Sequence, residues 1–334
     1  MKTYNVAVVG ASGAVGTEMI KTLEQRNFPV KKLTPLASER SAGKTVTFKG
    51  KEIKIQELTE TSFKDNNIEI ALFSAGGTIS EKFCPIAARD GAVCIDNTSA
   101  FRMDKDVPLV VPEVNPKDVK WHKGIIANPN CSTIQMVVVL KPIHDLLKIK
   151  RVVVSTYQAV SGAGAQAMLE LKEQAKEVLE MKKVTPKKFP YQIAFNLIPQ
   201  IDVFLDNGYT KEEIKMIKET KKIMGDDSIK VTATTVRVPV ICSHSESVNI
   251  ETEKYIEIEE LKKVLAKAPG ITVYDDPANK KYPMPINTTG KDNTYVGRIR
   301  KDDSVKCGYN MWIVADNLRK GAALNAVQIA ELLI

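Results

Sequence analysis

Apolar positions follow two rhythms along this chain, and the change from one to the other divides it. In the first third, short unbroken apolar runs alternate with stretches of helical spacing: a run at Tyr4–Val9, helical spacing from Thr17 to Gln25, then runs at 32–37, 69–73, 92–95, 109–111 and 125–127. Runs that are apolar on both faces, separated by helical segments such as 79–90, predict a doubly wound parallel sheet of Rossmann-like α/β type. From about residue 128 the rhythm changes. Apolar residues at 134, 137, 138 and 140 have the spacing of a buried helix that runs to about Leu147 and meets a proline at Pro142. A β-rich run follows at 151–158, then a Lys/Glu helix to about Lys183, an amphipathic helix at 211–224, and long strands at 230–240, 246–251, 271–274, 293–300 and 306–315. Long strands with few helices between them predict a second, α+β domain with a mixed or antiparallel sheet. The expected division is residues 1–127 and 128–317, with a C-terminal segment 318–334, helical from Gly321 to Leu333, returning to the first domain.

Composition narrows the class. At 334 residues and 43% hydrophobic content, the chain can bury a substantial core in about two domains. It opens directly on a strand and holds no apolar run long enough for a bilayer, so the expectation is a cytoplasmic protein with no signal peptide and no membrane partner. The net charge of +8 comes from 48 Lys and Arg against 40 Asp and Glu, with aromatics at 6%. The lysines are scattered beside glutamates and do not cluster with aromatics, which argues against nucleic acid and for an anionic small molecule. The five cysteines, at 84, 94, 131, 242 and 307, are odd in number and lack CxxC pairing. Free thiols and no bound metal are expected.

The chemistry-bearing stretches come next. Gly10-Ala-Ser-Gly-Ala-Val-Gly16 follows a strand and opens a helix, the context in which glycines admit a pyrophosphate to a helix N-terminus, so dinucleotide binding is expected there. After the second strand, Ser38-Glu-Arg-Ser41 allows two readings: Glu39 as an acid for the ribose hydroxyls of NAD, or Arg40 with Ser38 and Ser41 on a 2′-phosphate. Arg102 follows the fourth strand, where ligands of open α/β sheets bind, and is a candidate anion ligand. Asn128-Pro-Asn-Cys-Ser-Thr133 is a strand-to-helix turn. The spacing of Ser132 and Gln135 is that of a capping box, which makes Ser132 the expected N-cap and puts Cys131 just outside the first turn. A helix N-terminus lowers a thiol pKa from about 8.5, which suits a nucleophile; the alternative is a small buried apolar cysteine. Of three histidines, His244 follows Thr235-Val-Arg-Val-Pro-Val-Ile-Cys-Ser243. If the strand continued through Pro239, Cys242 and His244 would share a face. Two ligands alone make a poor metal site, and a general base for Cys131 is the better use of His244.

The glycine turn, Ala37-Ser-Glu-Arg-Ser-Ala-Gly43, the Cys131 stretch, Gln158-Ala-Val-Ser-Gly-Ala-Gly164, Glu212-Glu-Ile-Lys215, Arg237 to His244 and Asp316-Asn-Leu-Arg-Lys-Gly-Ala-Ala323 together resemble aspartate-β-semialdehyde dehydrogenase, nearly end to end. The resemblance implies reversible, NADP-dependent interconversion of L-aspartate 4-semialdehyde plus phosphate with L-4-aspartyl phosphate, on the way to lysine, methionine and threonine. It implies a Cys131 thioester, a proton shuttled by His244, Gln158 positioning the substrate, Arg237 on its α-carboxylate and Glu212 on its α-amino group. Arg102 and Lys215 would hold phosphate. Gly10, Ser12, Gly13, Ala14, Val15, Gly16, Ser38, Arg40, Ser41, Ser161, Gly162 and Asn317 would hold NADP. A homodimer is implied, with a tetramer as the larger assembly. The runner-up enzyme, N-acetyl-γ-glutamyl-phosphate reductase, shares fold and thioester chemistry but differs at the cysteine motif. A silent nucleotide-binding relative would not need both Cys131 and His244.

Overall fold

The computed structural model describes residues 2–334 of the chain. It forms two compact units, one running through Asn130 and taking in Ala322–Ile334, the other Cys131–Gly321.

In the first unit β1 (Tyr4–Val9), α1 (Ala14–Gln25), β2 (Val30–Ala37), β3 (Thr45–Phe48), β4 (Lys51–Lys54) and β5 (Gln56–Glu57) are followed by α2 (Ser62–Asp65), β6 (Ile70–Phe73), α3 (Gly77–Arg89), β7 (Val93–Asp96) and β8 (Ile125–Ala127). Six strands form one sheet in the order β5-β2-β1-β6-β7-β8, every pair parallel. Period-two alternation splits β1 cleanly. Val6 and Val8 enter one core with Met19 and Leu23 of α1 and Val327 of the terminal helix Leu324–Glu331, while Ala7 and Val9 enter the other with Phe83 and Ala87 of α3. Full burial of each such Val or Leu contributes about 1.5–3 kcal/mol, so the central strands need helices on both faces. The run 109–111 is not a strand; Leu109 makes a single parallel bridge to Ala127. The hairpin β3–β4 was not expected from the sequence. Its two-residue turn places Lys49 and Gly50 at φ of 50° and 72°, which suits the twist of the flanking strands.

The second unit contains α4 (Cys131–Leu147), β9 (Ile149–Gln158), α5 (Ala165–Leu179), α6 (Lys211–Met224), β10 (Lys230–Arg237), β11 (His244–Thr252), α7 (Ile258–Lys267), β12 (Ile271–Val273), β13 (Thr294–Lys301) and β14 (Gly308–Ala315). Its sheet is mixed, in the order β10-β9-β11-β14-β13-β12, with the outer pairs parallel and the inner ones antiparallel. The closing helical segment starts two residues earlier than expected, with a π-helical turn Arg319–Ala323 ahead of the terminal helix.

The N-terminus of α6 is built by local chemistry. Thr210 Oγ1 accepts from Glu213 N and Glu213 Oε2 accepts from Thr210 N, a capping box, and Glu213 Oε1 also accepts from Thr235 N of β10 at 2.9 Å. That fixes the first turn of α6, and with it Glu212, against the sheet.

Candidate active site

Three strand ends meet at one end of the second sheet. β9 ends at Gln158, β10 ends at Arg237 beside it in register, and β11 starts at His244 on the other side of β9. Between Arg237 and His244 the chain crosses the end of β9: Val160 N and Ser161 N donate to the carbonyls of Val240 and Ile241, and Ser243 takes a φ of 75°. The strand therefore does not continue through Pro239, and Cys242 and His244 do not share a strand face. The crossing brings Arg237 and His244 to one point. A Cβ on Gly162 would lie 3.1 Å from Arg237 Nη1 and 3.2 Å from His244 Nε2.

Helix α4 begins at Cys131, so the cysteine is its first residue and Ser132 lies inside the helix, fully buried. The expected capping box is absent: the helix starts at Cys131, and neither polar atom of the Gln135 amide has a hydrogen-bond partner. A Cβ on Gly321 would come within 2.8 Å of Cys131 Cβ, so the π-helical turn approaches the nucleophile only because that residue is glycine. Cys131 is half-buried, whereas Cys84 and Cys94 are fully buried. Cys242 points at Asp316 Oδ1 and Asn317 Oδ1, 3.5 and 3.6 Å away; burial and then the Asp316 charge push its thiol up to about 12. None of the five cysteines is in a disulfide.

His244 is fully buried, its Nδ1 accepts the backbone N–H of Ala159 at 2.9 Å, and its Nε2 has no hydrogen-bond partner. Burial, reinforced by Arg237, holds the ring well below its ordinary pKa. A neutral ring held in this way carries its proton on Nε2. Arg237 donates Nη1–H to Ala159 O at 2.7 Å. Burial lowers its pKa, against which Glu212 and Cys131 favour its charge.

Gln158 Nε2 donates to Glu212 Oε1 at 3.3 Å, and Glu212 Oε2 meets Lys215 Nζ at 3.3 Å. Lys215 reaches on to Asp202 Oδ2 at 2.8 Å. Burial works against the Asp202 charge, but Lys215 and the Val203 N–H outweigh it and hold its carboxyl below the usual range. Asp202 was not expected from the sequence. Ser161 and Asn317 hydrogen-bond each other, and Asn317 Oδ1 also accepts from Ser243 N at 2.9 Å.

Two of the expected functional elements lie in the first unit. Arg102 is buried there, with Nε on Asn128 O and Nη2 on Asn97 O, each at 2.9 Å. The glycine turn is the other. Gly10 adopts a φ of 87°, and a Cβ on it would collide with the carbonyl of Ser74, just as one on Gly16 would collide with the carbonyl of Gly10. A cavity of about 580 Å³ opens over this turn, with Ser12, Gly13, Ser38, Glu39 and Arg40 among its lining residues, and Ser12 Oγ donates to Ser41 Oγ at 3.1 Å. Bare backbone at a helix N-terminus beside a roomy cavity fits a dinucleotide phosphate. Among the described residues no cluster of three His, Cys, Asp or Glu side chains could hold a metal ion, and no helix is long and apolar enough to cross a membrane.

Residues 5–122 match the model of the semialdehyde dehydrogenase NAD binding domain, and residues 140–320 that of the semialdehyde dehydrogenase dimerisation domain. The aspartate-semialdehyde dehydrogenase of Aquifex aeolicus is 63% identical over 99% of this chain and 98% of its own length. The chain belongs to the aspartate-semialdehyde dehydrogenase family. The corresponding protein of Bacillus subtilis is 55% identical over 98% of this chain and 96% of its own length. A crystal structure of aspartate semialdehyde dehydrogenase II from Vibrio cholerae, complexed with ASA, superposes with a TM-score of 0.97 at 51% identity, covering 100% of this chain and 98% of that one. A structure from Candida albicans, with NADP, gives 0.77 at 25% identity over 99% and 98%. The family's reaction is this chain's: reversible phosphorylating oxidation of L-aspartate 4-semialdehyde to L-4-aspartyl phosphate with a nicotinamide cofactor, a step of amino-acid biosynthesis.

Proposed function

We propose that the chain carries out this reaction through a thioester on Cys131, with NADP as its preferred cofactor. The observation that supports this best is the meeting of Arg237 and His244 over Gly162, with Cys131 close enough to influence the Arg237 charge.

In the reducing direction the Cys131 thiolate attacks the acyl phosphate carbon and phosphate leaves, giving the thioester. A nicotinamide cofactor held at the Gly10–Gly16 turn would supply a hydride for the thioester carbon. Collapse of the resulting oxyanion expels the Cys131 thiolate and yields the aldehyde. Negative charge gathers on the same oxygen in both stages, and His244, neutral with its proton on Nε2, serves as a fixed donor to that oxygen. It gives a hydrogen bond where the general-base reading would require Nε2 to accept one.

Arg237 commits one N–H to Ala159 O, and the rest of its fork takes the substrate α-carboxylate. Glu212 takes the α-amino group, and Gln158, bonded to Glu212, is held in position to orient the carbonyl. By the family resemblance Lys215 and Arg102 are each assigned to phosphate. Gly10, Ser12, Gly13, Ala14, Val15 and Gly16 cradle the pyrophosphate, and Ser161, Gly162 and Asn317 are assigned to the cofactor by the family resemblance. Ser38, Arg40 and Ser41 read the 2′-phosphate, a reading supported by the NADP named for the Candida albicans structure. The dimerisation-domain match supports a homodimer, and a tetramer is the larger assembly to look for. Five cysteines without a disulfide fit the reducing cytoplasm.

The test is phosphate-dependent reduction of NADP by aspartate semialdehyde. Wild type turns over, and Cys131→Ala loses reduction while still binding NADPH. Near-normal turnover in Cys131→Ala would overturn the mechanism.

A further inference from the structure

The residues assigned to the reaction lie over a second set of polar residues that the reaction does not use. On α4, Gln135 is one turn below Cys131; on β11, Glu246 is two residues beyond His244; on β9, Thr156 is two residues before Gln158. Helical and strand periods place each lower residue on the same side of its element as the upper one. The register seats Glu246 opposite Thr156, and the Gln135 amide is close enough to influence the Glu246 carboxyl. All three are at most 1% exposed. Neither oxygen of Glu246, neither polar atom of the Gln135 amide nor the Thr156 hydroxyl has a hydrogen-bond partner. Packing does not explain them: Val248 and Ile250, next in phase on β11, are apolar and fully buried.

We propose that Glu246, Gln135 and Thr156 form a second polar tier beneath Cys131, His244 and Gln158, and that Glu246 is a positioning residue for the reaction, acting through Gln135 on the first turn of α4. This rests on the assignment of Cys131 and His244 given above. A fully buried carboxyl with no cation beside it stays protonated; its O–H then has the Gln135 carbonyl as acceptor after a small rotation of either side chain. Uncharged, it leaves the positive end of α4 free to favour the thiolate, whereas an ionised Glu246 would oppose it. The strands flanking β11 place Thr156 and Ile313 in register with Glu246, neither of them titratable, so the titratable neighbours in the two tiers are His244 and Cys131.

The experiment compares full-length wild type, Glu246→Gln, Glu246→Leu and Gln135→Leu. It measures kcat and KM in the semialdehyde assay, and the pH profile of Cys131 alkylation by iodoacetamide followed by peptide mass spectrometry. Glu246→Leu and Gln135→Leu are expected to lower kcat by about tenfold or more, with KM for the semialdehyde within about twofold. Glu246→Gln, which keeps shape and neutrality, should restore most of kcat and leave the alkylation profile where wild type has it. Two results would overturn the proposal: wild-type kcat and alkylation in both leucine variants, or a Glu246→Gln profile displaced to lower pH, which would mean that Glu246 is ionised. If Glu246→Leu does not fold, Gln135→Leu and the Glu246→Gln profile still decide. A wild type that lacks phosphate-dependent activity would instead sink the underlying assignment, and the wild-type control separates the two failures.

Discussion

The backbone N–H of Ala159 donates to Nδ1 of His244 at 2.9 Å, and that one bond fixes which ring nitrogen faces the substrate side. A backbone amide can only donate, so Nδ1 must be unprotonated and the neutral ring presents Nε2–H. His244→Asn or His244→Gln, whose amides can also donate, should keep more kcat than His244→Ala. The alanine variant should lose about a hundredfold or more, the cost of one oxyanion donor. Since burial holds the ring neutral, kcat should also show no inflection at the ordinary histidine range. Equal losses in all three variants, with an acid limb near pH 6.5 in wild type, would return His244 to general acid–base duty.

Gly321 lies where a Cβ would stand 2.8 Å from Cys131 Cβ. Gly321→Ala must therefore push the π-helical turn or the first turn of α4 aside, and a displacement of this kind near the thiol can cost up to about a hundredfold in rate. The expected outcome is a fall in kcat with a melting temperature only a few degrees lower. A Gly321→Ala enzyme at full kcat would mean that the approach is not needed for turnover.

How much of this was legible in the sequence differs by scale. The parallel sheet could be read because each central strand buries both faces, so Val6 to Val9 admits no polar break. The glycine turn could be read because only glycine permits the backbone contacts seen at Gly10 and Gly16. The strand expected at 230–240 stops at Arg237: Thr235 to Ile241 alternates well enough to pass for one strand, with only Pro239 to mark the break, while the bonds that end it run to Val160 and Ser161, far away in sequence. Ser132 lies one position inside the helix it was expected to cap, because Gln135 is buried within the fold and its amide does not turn back to the helix start. Two signals went unused. Thr210 and Glu213 have the capping-box spacing, and Glu246 falls in phase with Val248 and Ile250, an acid on a buried strand face. No local pattern marks Asp202 or Gly321, whose roles arise from contacts made only in the fold.

Cofactor choice turns on Ser38 to Ser41, where Glu39 and Arg40 both line the cavity and both are exposed. A charge-assisted bond from Arg40 to a 2′-phosphate contributes about 1.5–3 kcal/mol, a factor of roughly ten or more in affinity. Arg40→Ala should raise KM for NADP by about that factor and leave NAD kinetics nearly unchanged, and Glu39→Ala should not impair NADP use. Equal loss with both cofactors in Arg40→Ala would show that Arg40 supports the turn and does not read the phosphate.

His244 and Glu246 lie on the same face of β11, and burial moves them in opposite senses: His244 well below 6.5, Glu246 well above 4.5. For His244 the folded state binds its proton less readily than the unfolded chain. The stability it contributes is complete above 6.5 and is lost as pH falls toward its folded pKa. For Glu246 the folded state holds the proton more tightly, so its contribution is complete below 4.5 and is lost as pH rises toward its folded pKa. Glu246→Gln removes only the second dependence. Its advantage in unfolding free energy over wild type should therefore grow with pH above 4.5, by up to about 1.4 kcal/mol per pH unit, until the folded pKa is passed. Urea unfolding of the two proteins at several pH values measures that difference directly. A difference that stays flat across the range would mean that the folded protein holds Glu246 no closer to neutrality than the unfolded chain does.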